Sequence, residues 1–325
     1  DVCDIISYTP FEIADQTFTG TTTTATASLD GAVVINESSA DVDFRVESNG
    51  NANMLFVDGG NNRVGIGTNT PQVGTLHVHT ATAGTVTASP QADDLVVESD
   101  TEAGITILSP DNQTARIRFS SPSTNTDVGG ATIFYRQNIN RMKVGTAVAG
   151  GTTQLVSGAD VAAVSCDGNG AVTMPLQPAF SARPTDTQTN IGVATTTVKF
   201  HTQMFDVNDD FRPSTGDGQG SDENNFVALF TAPVTGKYQL NMSLRMENID
   251  SAATYYQLAI VTTNRNYRYI FDPDFGQDNA FFTPSISVLA DMDTGDTAHV
   301  TIAQSSGTAQ TDIHSESAFN GVLVA

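Results

Sequence analysis

Apolar and polar residues alternate along much of this sequence, and this alternation constrains the fold more than any other feature. Over residues 238–246, five apolar side chains alternate with four polar ones. Shorter runs of the same pattern occupy 42–47 and 116–120. Such alternation places the apolar side chains on one face of a β-strand, and no segment shows the helical period of about 3.6 residues. We therefore predict an all-β protein.

Residues 41–175 repeat short strand patterns and are predicted to form a shaft. Residues 44–48 and 54–57 are echoed by 95–99 and 105–108, both at an offset of 51 residues. Each unit contains few large apolar residues, so it must bury its apolar face against neighbouring units or other chains. We predict that three copies of the chain wrap together in this region.

The rest of the chain is predicted to form two further regions. Residues 1–40 combine an apolar-polar mixture with a threonine tract, which is typical of an N-terminal anchor or arm followed by a linker. Residues 176–325 are richer in aromatics and contain longer alternating runs. These features favour a head built as an antiparallel jelly-roll sandwich.

The charge of the chain bears on its partners. The formal net charge is −22, from 36 acidic and 14 basic residues. Nucleic acids and anionic membranes are normally bound by clustered Lys and Arg, so we predict neither as a partner. The acidic excess suits solubility, with divalent-cation binding as the alternative. Cys3 and Cys166 are too few for a disulfide scaffold or a thiolate zinc site.

Two segments of the predicted shaft resemble known fibres. The string Val64-Gly65-Ile66-Gly67-Thr68, followed by Pro71 and by Leu76-His77-Val78, resembles a segment that recurs in shafts of phage tail fibres and related trimeric surface fibres. The stretch Ile105–Phe119 is similar to strand repeats of the same proteins. The resemblance implies a virion protein.

The head has a resemblance of its own. It is carried by Phe205, Asn208, Phe230, Pro233, Gly236, Tyr238, Phe319 and Gly321. These residues and their spacing resemble the complement-type globular head, which shares a trimeric jelly roll with the tumour necrosis factors. The sequence departs from that pattern at Leu240 and Met242, where aromatics are usual, and in an insertion at 212–225.

Three sets of residues are candidate metal ligands. They are His77 and His79; Asp206, Asp209, Asp210, Asp217 and Asp222; and Asp272, Asp274 and Asp278. The two histidines share a strand face, so three copies would offer six imidazoles to one metal. The alternative is that Leu76 and Val78, on the opposite face, fill the trimer core and that both histidines face solvent. The resemblance to complement-type heads suggests calcium for the acidic sets, whose oxygens are the ligands that calcium prefers. We expect no required cofactor, with solvated turns as the alternative explanation for the acids.

Aromatic residues supply the candidate receptor contacts. They are Tyr255, Tyr256, Tyr267 and Tyr269, with Arg265. Rings and arginine suit glycan and protein contacts, but Tyr267 and Tyr269 also suit the sandwich core or a trimer interface. No nucleophile-elbow, metalloprotease or phosphate-loop motif occurs, so we predict that the chain is not an enzyme.

These inferences converge on a structural virion fibre. We predict a homotrimer at the virion surface, held to other virion proteins through residues 1–40 and adhering to a host surface glycan or protein through its head. Three linked heads multiply weak contacts through effective concentration. A capsid-decorating head fibre and a cellular surface adhesin or filament subunit are the alternatives.

Overall fold

The computed structural model describes residues 30–36, 38–72, 74–85, 87–120, 130–158, 160–214 and 228–325. Strands dominate these residues, and their helical content is a 3₁₀ turn at Gln137–Ile139, so the all-β prediction is confirmed. In the described part of the chain, no helix could span a bilayer. The chain divides into two compact units, Asp1–Leu108 and Ser109–Ala325, which are described separately. Residues 1–29, most of the predicted anchor, lie outside the described residues.

The first unit contains one five-stranded sheet. Its strands are β1 (Phe44–Val46), β2 (Leu55–Asp58), β3 (Arg63–Ile66), β4 (Leu76–His79) and β5 (Leu95–Glu98). They lie in chain order, antiparallel from β1 to β3 and parallel from β3 to β5. Gly67 takes a φ of +87°, and a Cβ there would lie 2.2 Å from the carbonyl oxygen of His79. The fibre-like motif therefore requires glycine at this position.

The sequence repeat is only partly reproduced as structure. Its first element forms strands in both copies, as β1 and β5. The second element forms β2 in the first copy, but Ile105–Leu108 form no strand. Leu108 is 88% exposed, so the second copy lacks the packing that fixes an amphipathic strand.

Few apolar side chains of the predicted shaft are covered. Among the described residues of 41–175, Phe56 is the one large apolar side chain that is buried. The most exposed apolar residues of this stretch are Ile105, Leu108, Met142, Leu155 and Val172. A single copy therefore does not close a hydrophobic core here, although the trimeric shaft itself stays a prediction.

The second unit begins with two small antiparallel sheets. The first consists of β6 (Ala115–Phe119), β7 (Ala131–Arg136) and β8 (Arg141–Thr146), in chain order. The second consists of β9 (Thr153–Ser157), β10 (Val161–Cys166) and β11 (Val172–Thr173), with β10 in the centre.

A two-sheet sandwich follows. Its strands are β12 (Ala179–Arg183), β13 (Thr195–Thr197), β14 (Thr202–Asp206), β15 (Phe211–Arg212), β16 (Leu229–Thr231), β17 (Gly236–Ser243), β18 (Met246–Ile249), β19 (Tyr255–Thr262), β20 (Asn266–Phe271), β21 (Asn279–Phe282), β22 (Ser285–Met292), β23 (Thr297–Ser305), β24 (Asp312–Ile313) and β25 (Ala318–Leu323). One sheet has the order β14-β12-β25-β17-β22. The other has the order β15-β16-β23-β19-β20, with β13 beside β23. A small sheet, β21-β18-β24, extends one end. The predicted boundary at 175/176 lies between β11 and β12.

The sandwich core contains the five apolar residues of the alternating run at 238–246, together with aromatic residues of other strands. Phe230, Tyr238 and Phe319 are at most 1% exposed. A Cβ at Gly321 would lie 2.7 Å from side-chain atoms of Leu240 and Phe180, so glycine is needed for close packing there. The predicted jelly roll is thus confirmed.

The longest alternating run is two strands rather than one. β17 ends at Ser243 and β18 begins at Met246. Between them, the N–H of Leu244 bonds to Pro284 O and the N–H of Arg245 bonds to Ser317 Oγ. The chain changes neighbours at this point, which interrupts the strand while the apolar side chains continue to face the core.

Candidate functional site

The first residue of β12 and the C-terminal part of β25 lie at the same end of the jelly roll. Ala179 on β12 lies opposite Val322 on β25. We call this end the entry end. β17 starts here at Gly236 and runs to Ser243, which lies opposite Ala318 at the start of β25. β18 and the loop that follows it therefore lie at the opposite end, which we call the distal end.

Three loops form the distal end. They are residues 250–254, 272–278 and 306–311. The carboxylate of Asp278 accepts hydrogen bonds from Ser251 N (2.9 Å), Ser251 Oγ (2.8 Å) and Gln310 Nε2 (2.8 Å). These bonds, first that from the Ser251 N–H, lower the pKa of Asp278. One carboxylate thus ties the three loops together.

A buried aspartate fixes two of these loops from below. Asp250 is 4% exposed, and its carboxylate accepts hydrogen bonds from Ala252 N and Thr308 N. Gly307 has a φ of +82°, and a Cβ there would lie 2.2 Å from Asp250 Oδ2. Loop 306–311 can therefore approach Asp250 only with glycine at 307. The distal surface is built on a preorganised frame.

Tyr256 belongs to this frame. It is fully buried, its hydroxyl lies 2.6 Å from Thr311 Oγ1, and it accepts a hydrogen bond from Asp250 N. Burial raises the pKa of Tyr256. The prediction that Tyr256 contacts a receptor is wrong, because strand alternation turns this ring into the sandwich. Its neighbour Tyr255 is 40% exposed at the start of β19, and its receptor role stays a prediction.

Two exposed aromatic residues near the distal end were not predicted. Phe275 is 44% exposed and Phe281 is 59% exposed. The Phe275 ring lies 6.0 Å from that of the partly buried Phe282, and the Phe281 ring lies 5.4 Å from the guanidinium of Arg245. The Phe281-Phe282 pair was a usable signal, because successive strand residues point to opposite faces and one ring must face outward.

β20 and β22 lie at one edge of the sandwich and are not hydrogen-bonded to each other. These two strands end their respective sheets. Tyr267, Tyr269, Ile286 and Val288 point towards the core but are only partly buried. The guanidinium of Arg265 lies 5.5 Å from the Tyr267 ring. The structure therefore places Tyr267 and Tyr269 in an apolar strip along the edge, the position that suits an interface between copies.

The described members of the first acidic set, Asp206, Asp209 and Asp210, lie at the entry end. Asp206 is opposite Phe180 on β12, and its carboxylate accepts hydrogen bonds from Gln203 Nε2, Asp210 N and Phe211 N at 2.8–3.2 Å. Burial, followed by the charge of Asp206, raises the pKa of Asp210. Asp206 therefore closes its own loop, and this set is separated from the distal set by the length of the jelly roll.

The predicted metal ligands that the structure describes are not assembled into a centre. Within the described residues, no group of three or more His, Cys, Asp or Glu is arranged to hold a metal ion. Asp209 is exposed, and Asp272 accepts a hydrogen bond from the backbone N–H of Asp274. Asp217 and Asp222 lie outside the described residues. Calcium binding stays a prediction.

His77 and His79 lie side by side on β4. Their ring centroids are 5.4 Å apart, and His77 is 2% exposed, with its Nε2 2.9 Å from Glu98 Oε2. The Ala83 N–H and then the His77 side chain lower the pKa of Glu98. His77 thus faces the interior of its own unit rather than solvent. A metal shared between copies stays a prediction for this pair.

The remaining motif residues of the head lie in turns or at the surface. Pro233 and Gly236 form the turn before β17, where the Tyr238 hydroxyl donates to Val234 O at 2.7 Å. Asn208 donates through Nδ2 to Leu176 O at 3.0 Å. Phe205 is 54% exposed on β14 and lies outside the core.

Comparison with known proteins shows what the head is similar to. Residues 179–324 match the family model of the C1q domain. The globular domain of the zebrafish complement 1qA protein is similar at 19% identity over 46% of this chain and 98% of that chain, with a TM-score of 0.33. Murine APRIL, in its crystal structure at pH 8.5, is similar at 12% identity over 46% of this chain and 99% of that chain, with a TM-score of 0.32. No curated protein matches the chain.

The head is therefore a C1q-type jelly-roll domain. Domains of this type typically form trimers, are extracellular or secreted, and serve as binding or structural modules rather than enzymes.

Proposed function

We propose that the chain is the subunit of a homotrimeric fibre on a bacteriophage virion, and that its C1q-type head adheres to a host cell surface. The observation that carries this proposal is the uncovered apolar surface of residues 30–176, where Phe56 is the one large apolar side chain buried among the described residues. The fibre-like motif at 64–71 supports the assignment to a virion.

The sheet β6–β8 makes the argument for trimerisation concrete. Ile117, Ile133 and Val144 lie directly opposite one another across its three strands. They are 49%, 36% and 57% exposed and form one continuous apolar face. Soluble monomers rarely expose contiguous apolar surface of this kind. Three copies that turn these faces towards a common axis would cover them.

The head supports the same symmetry. Its open edge between β20 and β22 leaves the aromatic rings of Tyr267 and Tyr269 partly buried. Another copy packed on this edge would complete the burial of the two rings. Trimeric assembly is also typical of C1q-type domains.

Adhesion then arises from repetition rather than from a deep pocket. The distal end offers three exposed rings: Phe275 on a hydrogen-bonded loop, and Tyr255 and Phe281 on β19 and β21. Aromatic rings on a rigid frame lose little conformational entropy on contact. Three linked heads raise the effective concentration of the second and third contacts, so each contact can be weak.

Light scattering on the purified full chain tests the assembly. We expect the mass of three chains of 34.2 kDa each. A monomer mass at micromolar concentration would contradict the proposal. Gold labelling of the chain on purified virions tests its location, and labels confined to host cells would favour a cellular adhesin.

Adhesion is tested with the same protein, fluorescently labelled, on candidate host cells. We expect Phe275→Ser with Phe281→Ser to abolish most binding while the trimer mass is kept. Val234→Ser is the matched control, because Val234 is 44% exposed at the entry end. Equal loss of binding in both variants would contradict a distal contact surface.

A further inference from the structure

The sheet β6–β8 gathers a large share of the positive charge of the chain. Five of the 14 basic residues of the chain lie on its strands. They are Arg116, Arg118, Arg136, Arg141 and Lys143. The three strands themselves contain no Asp or Glu. In a chain with a net charge of −22, this concentration is a local reversal of sign.

Strand register places all five on one face of the sheet. Phe134 lies opposite both Arg116 and Lys143, and Arg136 lies opposite Arg141. Arg118 is two residues from Arg116 and so shares its face. We call this surface the basic face. The other face of the sheet carries Ile117, Ile133 and Val144, so the sheet has one basic and one apolar side.

The basic face is open to an external partner. Arg116, Arg141 and Lys143 are exposed, and Arg136 is partly exposed. Within the described ranges, no carboxylate lies within the 4.0 Å ion-pair distance of these four residues, whereas Arg45 and Lys237 each have one and Arg245 has two. Unpaired charges at this spacing are free to meet an anionic ligand.

We propose that the basic face binds an anionic polysaccharide of a cell surface. The inference builds on the proposed function, because burial of the apolar face between three copies turns the basic face outward. Guanidinium groups bind carboxylates and phosphates through two parallel hydrogen bonds. Phe134 lies among them, with the Lys143 ammonium 5.9 Å from its ring centroid. This ring can pack against the C–H face of a sugar.

Charge density favours a polysaccharide over a nucleic acid. Duplex DNA carries one charge per about 1.7 Å of its axis, and binding it requires many phosphate contacts. The acidic remainder of this chain would repel so dense a polyanion. A polysaccharide with one charge per sugar or fewer can reach the basic face with less repulsion.

Binding of the full-length chain to polygalacturonate tests this proposal, with dextran as the neutral control and duplex DNA as the competing class. The variant is Arg116→Gln, Arg141→Gln and Lys143→Gln together. The matched control is Arg45→Gln, Arg183→Gln and Arg268→Gln together, which removes the same charge from exposed positions elsewhere. Unchanged circular dichroism establishes that each variant is folded.

We expect the wild-type chain to bind polygalacturonate but not dextran, with an affinity that falls as salt rises. The variant should lose about tenfold in affinity, because each exposed ion pair contributes little alone and three add up, while the control should lose less than about twofold. Equal losses in the two variants, no binding of polygalacturonate, or tighter binding of DNA would each overturn the proposal.

The same samples separate this inference from the fibre proposal. Light scattering reports the trimer independently of any ligand. A trimer that adheres to host cells but ignores polygalacturonate would overturn only the basic-face inference. A monomer that binds polygalacturonate through the basic face would instead overturn the fibre.

Discussion

Replacing the apolar face of β6–β8 by threonine should dissociate the trimer. The variant is Ile117→Thr, Ile133→Thr and Val144→Thr together, and threonine keeps the β propensity of the strands. Full burial of an Ile or Val side chain stabilises a protein by about 1.5–3 kcal/mol. These three are 36–57% exposed in one copy. Covering the exposed part in a trimer therefore contributes about half of that value at each site, or about 2–4 kcal/mol per chain.

Three chains sum to a loss of about 6–12 kcal/mol in the free energy of trimer association. If the face stays exposed to solvent, each substitution should change stability by no more than about 0.5 kcal/mol. The two cases differ widely enough for a simple dilution series to separate them.

Light scattering and sedimentation equilibrium over this series give the dissociation constant directly. The matched control is Ile117→Val, Ile133→Val and Val144→Ile, which keeps the face apolar and should keep the trimer. A threonine variant with the wild-type mass at every concentration would refute the claim that this face is buried between copies.

Three further predictions concern the head. Phe319→Ala should destabilise the head by about 3–5 kcal/mol, because the ring is fully buried. Urea unfolding measures this loss, and an unchanged midpoint of the urea transition would refute the assignment of Phe319 to the core. Tyr256→Phe should lower the free energy of unfolding by about 1–3 kcal/mol, because the Thr311 hydroxyl loses its buried hydrogen-bond partner. Cell binding should persist in this variant. Loss of binding in a folded variant would contradict a purely structural role for Tyr256. Burial raises the pKa of Asp210, so the folded state disfavours its charge and stability is lost as pH rises from the ordinary carboxyl pKa through the raised one. Asp210→Asn should therefore raise the melting temperature at neutral pH but not in acid, unlike the exposed Asp209→Asn, and a pH-independent difference would exclude this explanation.

The core of the head could be predicted from sequence because alternation directly encodes which side chains share a face. Tyr238 and Leu240 are buried as their pattern indicates. The pattern does not encode which strands pair with this segment. It therefore does not predict that the chain changes its pairing partners between Ser243 and Met246. Tyr256 was misassigned for the same reason: a pair of adjacent tyrosines must divide between the two faces, and only the sheet decides which ring turns inward.

Charge was the least predictable property, because composition averages over the whole molecule. The acids near Asp206 and those near Asp278 read as two similar clusters, but the fold places them at opposite ends of the head and uses both carboxylates to close loops. The basic face is not predictable from the sequence pattern, because Arg116 and Lys143 lie far apart in the sequence. They meet only through the register of three strands.

The first and last strands of the head, β12 and β25, pair antiparallel with each other. Gln177 Nε2 bonds to Leu323 O at 2.8 Å and the N–H of Leu323 bonds to Pro178 O at 2.9 Å, so both connections of the domain meet at a single seam. A chimaera with a different head would have to match these contacts, while the distal loops could differ without disturbing them. A peptide tag fused after Ala325 would likewise emerge beside these contacts and leave the distal loops unobstructed.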